Sequence, residues 1–512
     1  MGSSGSKKNA GGGGGGGSAG ASEAKRKHLL LDSAAYAQVA RRHGEIAKLK
    51  ATQAASGAGT ATASEANAKG ETAAAAPPPA PESSAAADAP ATPAAPAAAK
   101  ESANEAVTGR KVTEALGLPA EDATAVARIF RQSDQAGPIS LEIFVDVVAN
   151  LVKGTTSDMR RAIFAGATGP GKSEATPELL GELLSALYHA AGNESGSFKS
   201  AALIAGFEVF ADKQSKLDGS EEVRRNFGMF NRWCSAQVPS LQEGLHGLVG
   251  AKMLGMAAQG SATAGKISAG TQAAVAKSEV MSPADVFALS CADSRAASSW
   301  DLLFSSNQHG MSFDMLFNSI LGYAGPTLIA IMDAEGNVFG GLVSETWSEA
   351  AQFYGNTSST LVSLRPKFQT LSARTDGSSP GTNHFQFLRC RGKSGILGLG
   401  FGGDENSPRL WLDRNFEGCR AADFDLTYEQ GDLRPRNADG TSTFKPFIIE
   451  AWGFGGSEAA SAQATEVAAV DKMRMDRRKV DRKKFAENSF DREFLLGKTY
   501  GHQQQIENRG GR

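Results

Sequence analysis

Leu328-Ile329-Ala330-Ile331-Met332-Asp333-Ala334-Glu335-Gly336-Asn337-Val338-Phe339-Gly340-Gly341-Leu342-Val343 is the stretch on which the fold turns. Two apolar segments flank a short polar connection containing Gly336, a pattern that predicts an antiparallel hairpin. From Pro326 onward the period is two, and further strands are predicted at Thr360–Leu364, His384–Cys390, Gly395–Phe401, Arg409–Leu412 and Phe444–Gly453. In the His384 segment, Phe385 and Phe387 are expected on one face and His384 and Gln386 on the other, as in a half-buried strand. Short strands separated by Gly-rich turns suggest a β-sandwich with helices at its edges.

Upstream the period changes. Ala123–Phe130, Leu141–Leu151, Met159–Ala165, Glu178–Ala190 and Ala201–Ala211 carry apolar residues at helical spacing. Between Met1 and Arg110 the only aromatic residue is Tyr36. A segment so poor in large apolar side chains cannot offset its chain entropy by burial. The expected organisation is α+β. Residues 1–21 form a Gly/Ser leader, 22–50 a basic helix, and 51–108 a disordered Ala/Pro linker. Residues 110–256 form a helical domain, 257–287 a linker, 288–456 the β-rich domain and 457–512 a charged tail.

Charge and cysteine usage narrow the function classes. A net charge of −2 argues against a dedicated nucleic-acid protein. Cys234, Cys291, Cys390 and Cys419 are far apart in sequence and form no CxxC pair, which suits free thiols in a reducing compartment. No run of about 18 apolar residues is present, and no apolar h-region follows Met1, so a soluble intracellular protein is expected. Gly2 followed by Ser6 and lysines fits the N-myristoylation pattern. The helix of residues 22–50 carries seven basic and three acidic residues. It is the expected second membrane signal, because one acyl chain anchors weakly.

Several catalytic patterns match and lack their context. Gly166-Ala-Thr-Gly-Pro-Gly171-Lys172-Ser173 satisfies the phosphate-loop pattern, yet a helical segment precedes it where a buried strand is needed. Gly398-Leu-Gly400-Phe-Gly402-Gly403 contains GxGxxG with no helix to follow. Gly377-Ser378-Ser379-Pro380-Gly381 matches GxSxG in polar surroundings that suit an exposed loop. In the helical domain, Gln132 to Ile143 has the spacing of an EF-hand loop around Gly137. Its ligand positions hold Gln132, Asp134, Ala136 and Ser140, with Ile143 in place of the bidentate Glu. A degenerate EF-hand-like helix pair is expected, with no working calcium site. No catalytic, cofactor-binding or metal-ligating residue is predicted. The enzymatic alternative is nucleotide hydrolysis through Lys172 or a thiol antioxidant activity.

One set of ordered blocks is more specific. Ser299-Trp300-Asp301-Leu302-Leu303-Phe304, His309-Gly310-Met311-Ser312-Phe313, the hairpin 326–341 and Phe353-Tyr354-Gly355 come first. Gly398–Gly403, Leu410-Trp411-Leu412-Asp413 and Ile449-Glu450-Ala451-Trp452-Gly453 follow. In this order and spacing they resemble the TLDc (TBC/LysM-associated) domain family, with a departure over Glu417–Asp439. The order of parts resembles the lysosome-associated branch of that family in mTOR signalling. The resemblance implies a domain without established catalytic chemistry, linked to oxidative-stress resistance and to binding the vacuolar-type proton pump. It implies a non-enzymatic adaptor, cytoplasmic and peripheral on an endolysosomal, vacuolar or plasma membrane. Gly340, Gly355, Gly400, Gly402, Asp413, Glu450 and Trp452 are the positions expected to serve either as partner surface or as structure. For Glu450 a structural role is favoured, because buried carboxylates persist only when paired.

Overall fold

The computed structural model describes residues 30–49, 106–131, 138–257, 264–374, 384–392 and 395–465, apart from Ser195 and Ser197, together with Lys472, Met475 and Asp476. Gly2, the leader, most of the 51–108 linker, Gln132–Gly137, Gly377–Gly381 and most of the charged tail lie outside the described residues.

The amino-terminal layer is helical. It comprises α1 (Ser33–Ala47), α2 (Gly109–Leu116), α3 (Ala123–Arg131), α4 (Leu141–Lys153) and α5 (Thr156–Phe164), then α6 (Pro177–Ala190), α7 (Ala201–Leu217), α8 (Phe227–Gln237) and α9 (Glu243–Leu254). Local chemistry sets the starts. Asp32, Thr108, Ser140, Thr155, Thr176 and Asn226 each cap the helix that follows with a side-chain oxygen. Two main-chain bonds join the capping segments in pairs. Ile139 N–H donates to Val107 O at 2.8 Å, and Ala175 N–H to Arg225 O at 2.9 Å.

Helix α1 corrects one expectation. Its Val39 and Ile46 are buried in the helical core, and the helix packs against α2, α4 and α9. Lys111 Nζ donates to Ala47 O at its carboxy-terminal end, and His43 Nε2 bonds Ile139 O. Val39 and Ile46 of the helix expected to be the second membrane signal are therefore covered by protein. Within 257–287, expected as a linker, the chain forms α10 (Ala269–Val275) and begins α11 (Pro283–Ala292), and both bury side chains.

Two antiparallel sheets follow. The first has the order β1-β10-β2-β3-β4-β5, from β1 (Asp301–Ser305), β2 (Thr327–Asp333), β3 (Val338–Val343), β4 (Thr360–Arg365), β5 (Gln369–Ser372) and β10 (Pro446–Gly453). The second has the order β6-β7-β8-β9, from β6 (Gln386–Arg389), β7 (Gly398–Phe401), β8 (Leu410–Asp413) and β9 (Arg420–Ala421). Short helices α12 (Ser306–His309) and α13 (Phe313–Ile320) follow β1.

The six-stranded sheet is covered on both faces. Ile329, Ile331, Phe339, Leu361, Ile449 and Ala451 point into the core shared with the four-stranded sheet. Their neighbours Leu328, Ala330, Leu342, Val362, Ile448 and Trp452 point the other way, into one continuous core with the helices. The α+β class and the sandwich are as expected, but the helices cover a whole face of the larger sheet. That explains the unbroken apolar run Leu328–Met332, since a strand buried on both faces needs no polar alternation. The His384 segment differs likewise. Gln386 is as buried as Phe387, because the Tyr354 segment bridges to it and Glu345 O accepts from its Nε2.

Candidate functional site

The positions marked in the sequence fall inside the sandwich and at its junction with the helices. Strand β10 lies between β1 and β2, with Glu450 opposite Ser305 and Ala330. Alternation sends Ile449 and Ala451 to the inter-sheet core and turns Glu450 and Trp452 toward the helical layer. There Glu450 is 1 % exposed. Its Oε2 accepts the Ser278 hydroxyl at 2.6 Å and Trp452 Nε1–H at 3.1 Å, and its Oε1 accepts Glu279 N–H at 3.2 Å. Ser278 Oγ in turn accepts from the amides of Val280 and Met281. Burial pushes the Glu450 carboxyl above its usual range, and these hydrogen bonds partly offset the shift. Glu450 thus pins the turn that leads into α11. Trp452 is fully buried and meets Trp300 edge-on at 5.8 Å.

The marked glycines are sites of close approach. A Cβ on Gly340 would lie 1.8 Å from Ile329 O, and one on Gly400 would lie 2.8 Å from the Trp411 ring. Gly402, at φ +65°, and Gly355, at φ +107°, hold left-handed backbone that L side chains avoid. Gly402 sits over a buried ion pair in which Arg409 Nη1 is 3.3 Å from Asp425 Oδ1. Asp425 also accepts from the amides of Gly403, Thr427 and Tyr428, so its charge is fully hydrogen-bonded. Asp413 ends β8 and accepts Asn415 N–H at 3.0 Å, starting the turn that reaches Phe416 at φ 60°.

Sequence reading missed the polar pairs that lock loops to the sheets. Arg434 Nε lies 2.8 Å from Asp333 Oδ2, both side chains buried, and ties the hairpin connection to the loop before β10. Gln237 acts as a surrogate strand at the edge of β5. Its Oε1 accepts Thr370 N–H at 2.6 Å and its Nε2 donates to Thr370 O at 3.3 Å. These partners lie 101 and 133 positions apart, so no local pattern could have paired them.

The catalytic patterns do not assemble. Residues 166–173 begin inside the 3₁₀ turn Ala165–Ala167 that follows α5, and Thr168 bridges Ala175 in a small hairpin, so the strand before a phosphate loop is missing. Gly398–Phe401 is β7 itself, followed by a glycine turn at Gly402 and Gly403. The four cysteines are free and buried. Burial pushes the thiols of Cys234 and Cys419 up to about 12. It raises Cys291 as well. Cys390, whose Sγ donates to Asp314 Oδ1 at 2.7 Å, is pushed to about 11 by burial and then by that carboxylate. Among the described residues no helix is long and apolar enough to cross a membrane.

Residues 275–455 match the family model of the TLDc domain, and the chain therefore carries a TLDc domain in its carboxy-terminal part. Over 158 residues it is 32 % identical to the MTOR-associated protein MEAK7 of Xenopus laevis, which is 30 % of this chain and 32 % of that protein. The Mus musculus protein of the same name is 32 % identical over 161 residues, 30 % of this chain and 32 % of its own length. Oxidation resistance protein 1 of Xenopus tropicalis is 33 % identical over 114 residues, 22 % of this chain and 12 % of that protein. The chain spans about a third or less of the length of the curated relatives it matches.

Proposed function

We propose that this protein is a non-enzymatic regulatory adaptor whose TLDc domain binds a protein partner in stress resistance or lysosomal signalling. What supports this reading is that Gly340, Gly400, Glu450 and Trp452 lie in close contacts inside the domain. They leave its outer surface as the working part. The names of its relatives, an mTOR-associated protein and an oxidation resistance protein, support that setting. Raised thiol pKa values weigh against the antioxidant alternative, since the thiolate is the reactive species. The proposed partner is the vacuolar-type proton pump, and the proposed tether is an acyl chain on Gly2. Affinity capture with the whole tagged chain tests the partner: pump subunits should be enriched over an unrelated bait, and their absence defeats that assignment. Gly2→Ala should move the protein from membrane to soluble fractions; unchanged fractionation removes the tether.

A second reading concerns the helical layer, which we infer to be built of paired EF-hand-like units that hold no calcium. The main-chain bonds of Val107 with Ile139 and of Ala175 with Arg225 favour it, each joining residues just before a helix cap. If each cap is loop position nine, position twelve falls at Lys111, Ile143, Leu179 and Met229, none of them a carboxylate. At Lys111 the ammonium donates to Ala47 O. Millimolar Ca²⁺ should leave the melting temperature unchanged, because a bound ion would raise it. A dose-dependent rise overturns this reading.

A further inference from the structure

The hairpin that satisfies the phosphate-loop pattern forms one wall of an open cavity of about 330 Å³ between α5, the 3₁₀ turn and the start of α8. Lys172 and Ser173 line it from the hairpin, Arg161 from α5 and Phe227 from α8. The Arg161 guanidinium lies over the Phe227 ring, 4.1 Å from its centroid. That contact occupies the face of the guanidinium and leaves its N–H edge free to donate. Asp158 is the carboxylate in the lining. It accepts from the Thr155 amide at 3.0 Å and the Thr155 hydroxyl at 2.7 Å in the capping box of α5. Arg161 and Lys172 therefore share the lining with one carboxylate that is already hydrogen-bonded.

We infer that this cavity is a binding site for a phosphomonoester carried on a protein side chain, held by Arg161 and Lys172 with Ser173 as a hydroxyl donor. A phosphoryl group matches two cationic donors lining one cavity, and arginine is suited to its geometry. The mode differs from that of a nucleotide loop. There a buried strand leads into main-chain amides that cradle the phosphates, whereas here α5 and a 3₁₀ turn lead in, and the amides of Thr168 and Lys172 are taken by the Ala165 and Gly169 carbonyls. The Arg161 and Lys172 side chains supply the positive charge of the cavity. The rim residues Arg161, Lys172 and Ser173 are exposed, so a group projecting from a partner's surface can enter, and Phe227 offers a shelf for an apolar neighbour.

The test uses the whole chain and fluorescence anisotropy with a degenerate phosphoserine peptide pool. Its unphosphorylated counterpart, inorganic phosphate and Mg²⁺-ATP are competitors. Saturable binding of the phosphorylated pool is expected, with no binding of the unphosphorylated one. R161Q and K172Q should each weaken it about tenfold or more, with melting temperatures close to that of the parent. K172Q carries the test if loss of the Phe227 contact alters the fold of R161Q. The inference is overturned if phosphopeptide binding is absent or survives both substitutions. Binding of Mg²⁺-ATP without the peptide pool also overturns it, because the source would then be a free nucleotide.

Discussion

Glu450 shows how a carboxylate can be structural in an otherwise apolar layer. Three donors converge on it, and Glu450→Gln replaces one acceptor with an NH₂ group facing a donor. Loss of such an arrangement costs about 1–3 kcal/mol. The folded-state pKa is raised above the unfolded value, so the neutral form is the one the fold favours. Its contribution is fully present below the ordinary glutamate range and is lost as pH rises through the raised folded value. The penalty of Glu450→Gln should therefore be larger near pH 4.5 than near pH 8, as urea unfolding across that interval would show. A penalty that grows with pH would contradict this. At Gly340 the limit is steric. Gly340→Ala forces a Cβ onto Ile329 O in the middle of the larger sheet, and overpacking of that kind costs about 1–3 kcal/mol. Thermal unfolding reads it directly.

Strand β5 is the element that depends most on its neighbours. It is short and lies at the sheet edge, where unpaired N–H and C=O groups invite wrong partners. Here Phe368 N–H donates to Ala202 O, Gln237 takes both groups of Thr370, and Glu429 N–H donates to Ser372 O. Gln237→Ala would leave the Thr370 groups without partners at a cost of about 1–3 kcal/mol. Hydrogen exchange should quicken over residues 368–372 while β2 and β3 stay protected. Equal exchange in both proteins would refute the edge role of Gln237. Legibility follows the same division. The β2–β3 hairpin could be read because its turn chemistry is local, around Gly336 at φ +83°. Strands β1, β5 and β9 could not, since each is short and held by residues distant in the chain.

The whole molecule has two cores with one sheet between them. Helices α7 and α8 contribute Leu203, Phe207, Phe230 and Trp233 to the core that also contains Val362, Leu364 and Phe368. A fragment starting at Ala288 loses Ser278, Glu279 and the first half of α11 from the cover over Glu450 and Trp452. It should be markedly less stable than one starting at Ala264, and thermal unfolding of the two would reveal equal stability if that cover were dispensable. The whole chain should melt in one transition by near- and far-ultraviolet circular dichroism, because a shared core couples the layers. Two separated transitions would show that the interface is weak.

The sequence by itself determined the α+β class, the helical layer ahead of the strands, the β2–β3 hairpin and the TLDc resemblance. Those depend on periodicity, turn residues and caps that act over a few positions. Only the tertiary structure decided where the marked residues sit. It put Glu450 and Trp452 against the helices, paired Asp333 with Arg434 and Arg409 with Asp425, and buried the apolar stripe of α1 inside the protein. Such partners are chosen by which faces meet across the chain, and burial then fixes whether a charge, a thiol or an amide is surface chemistry or internal support.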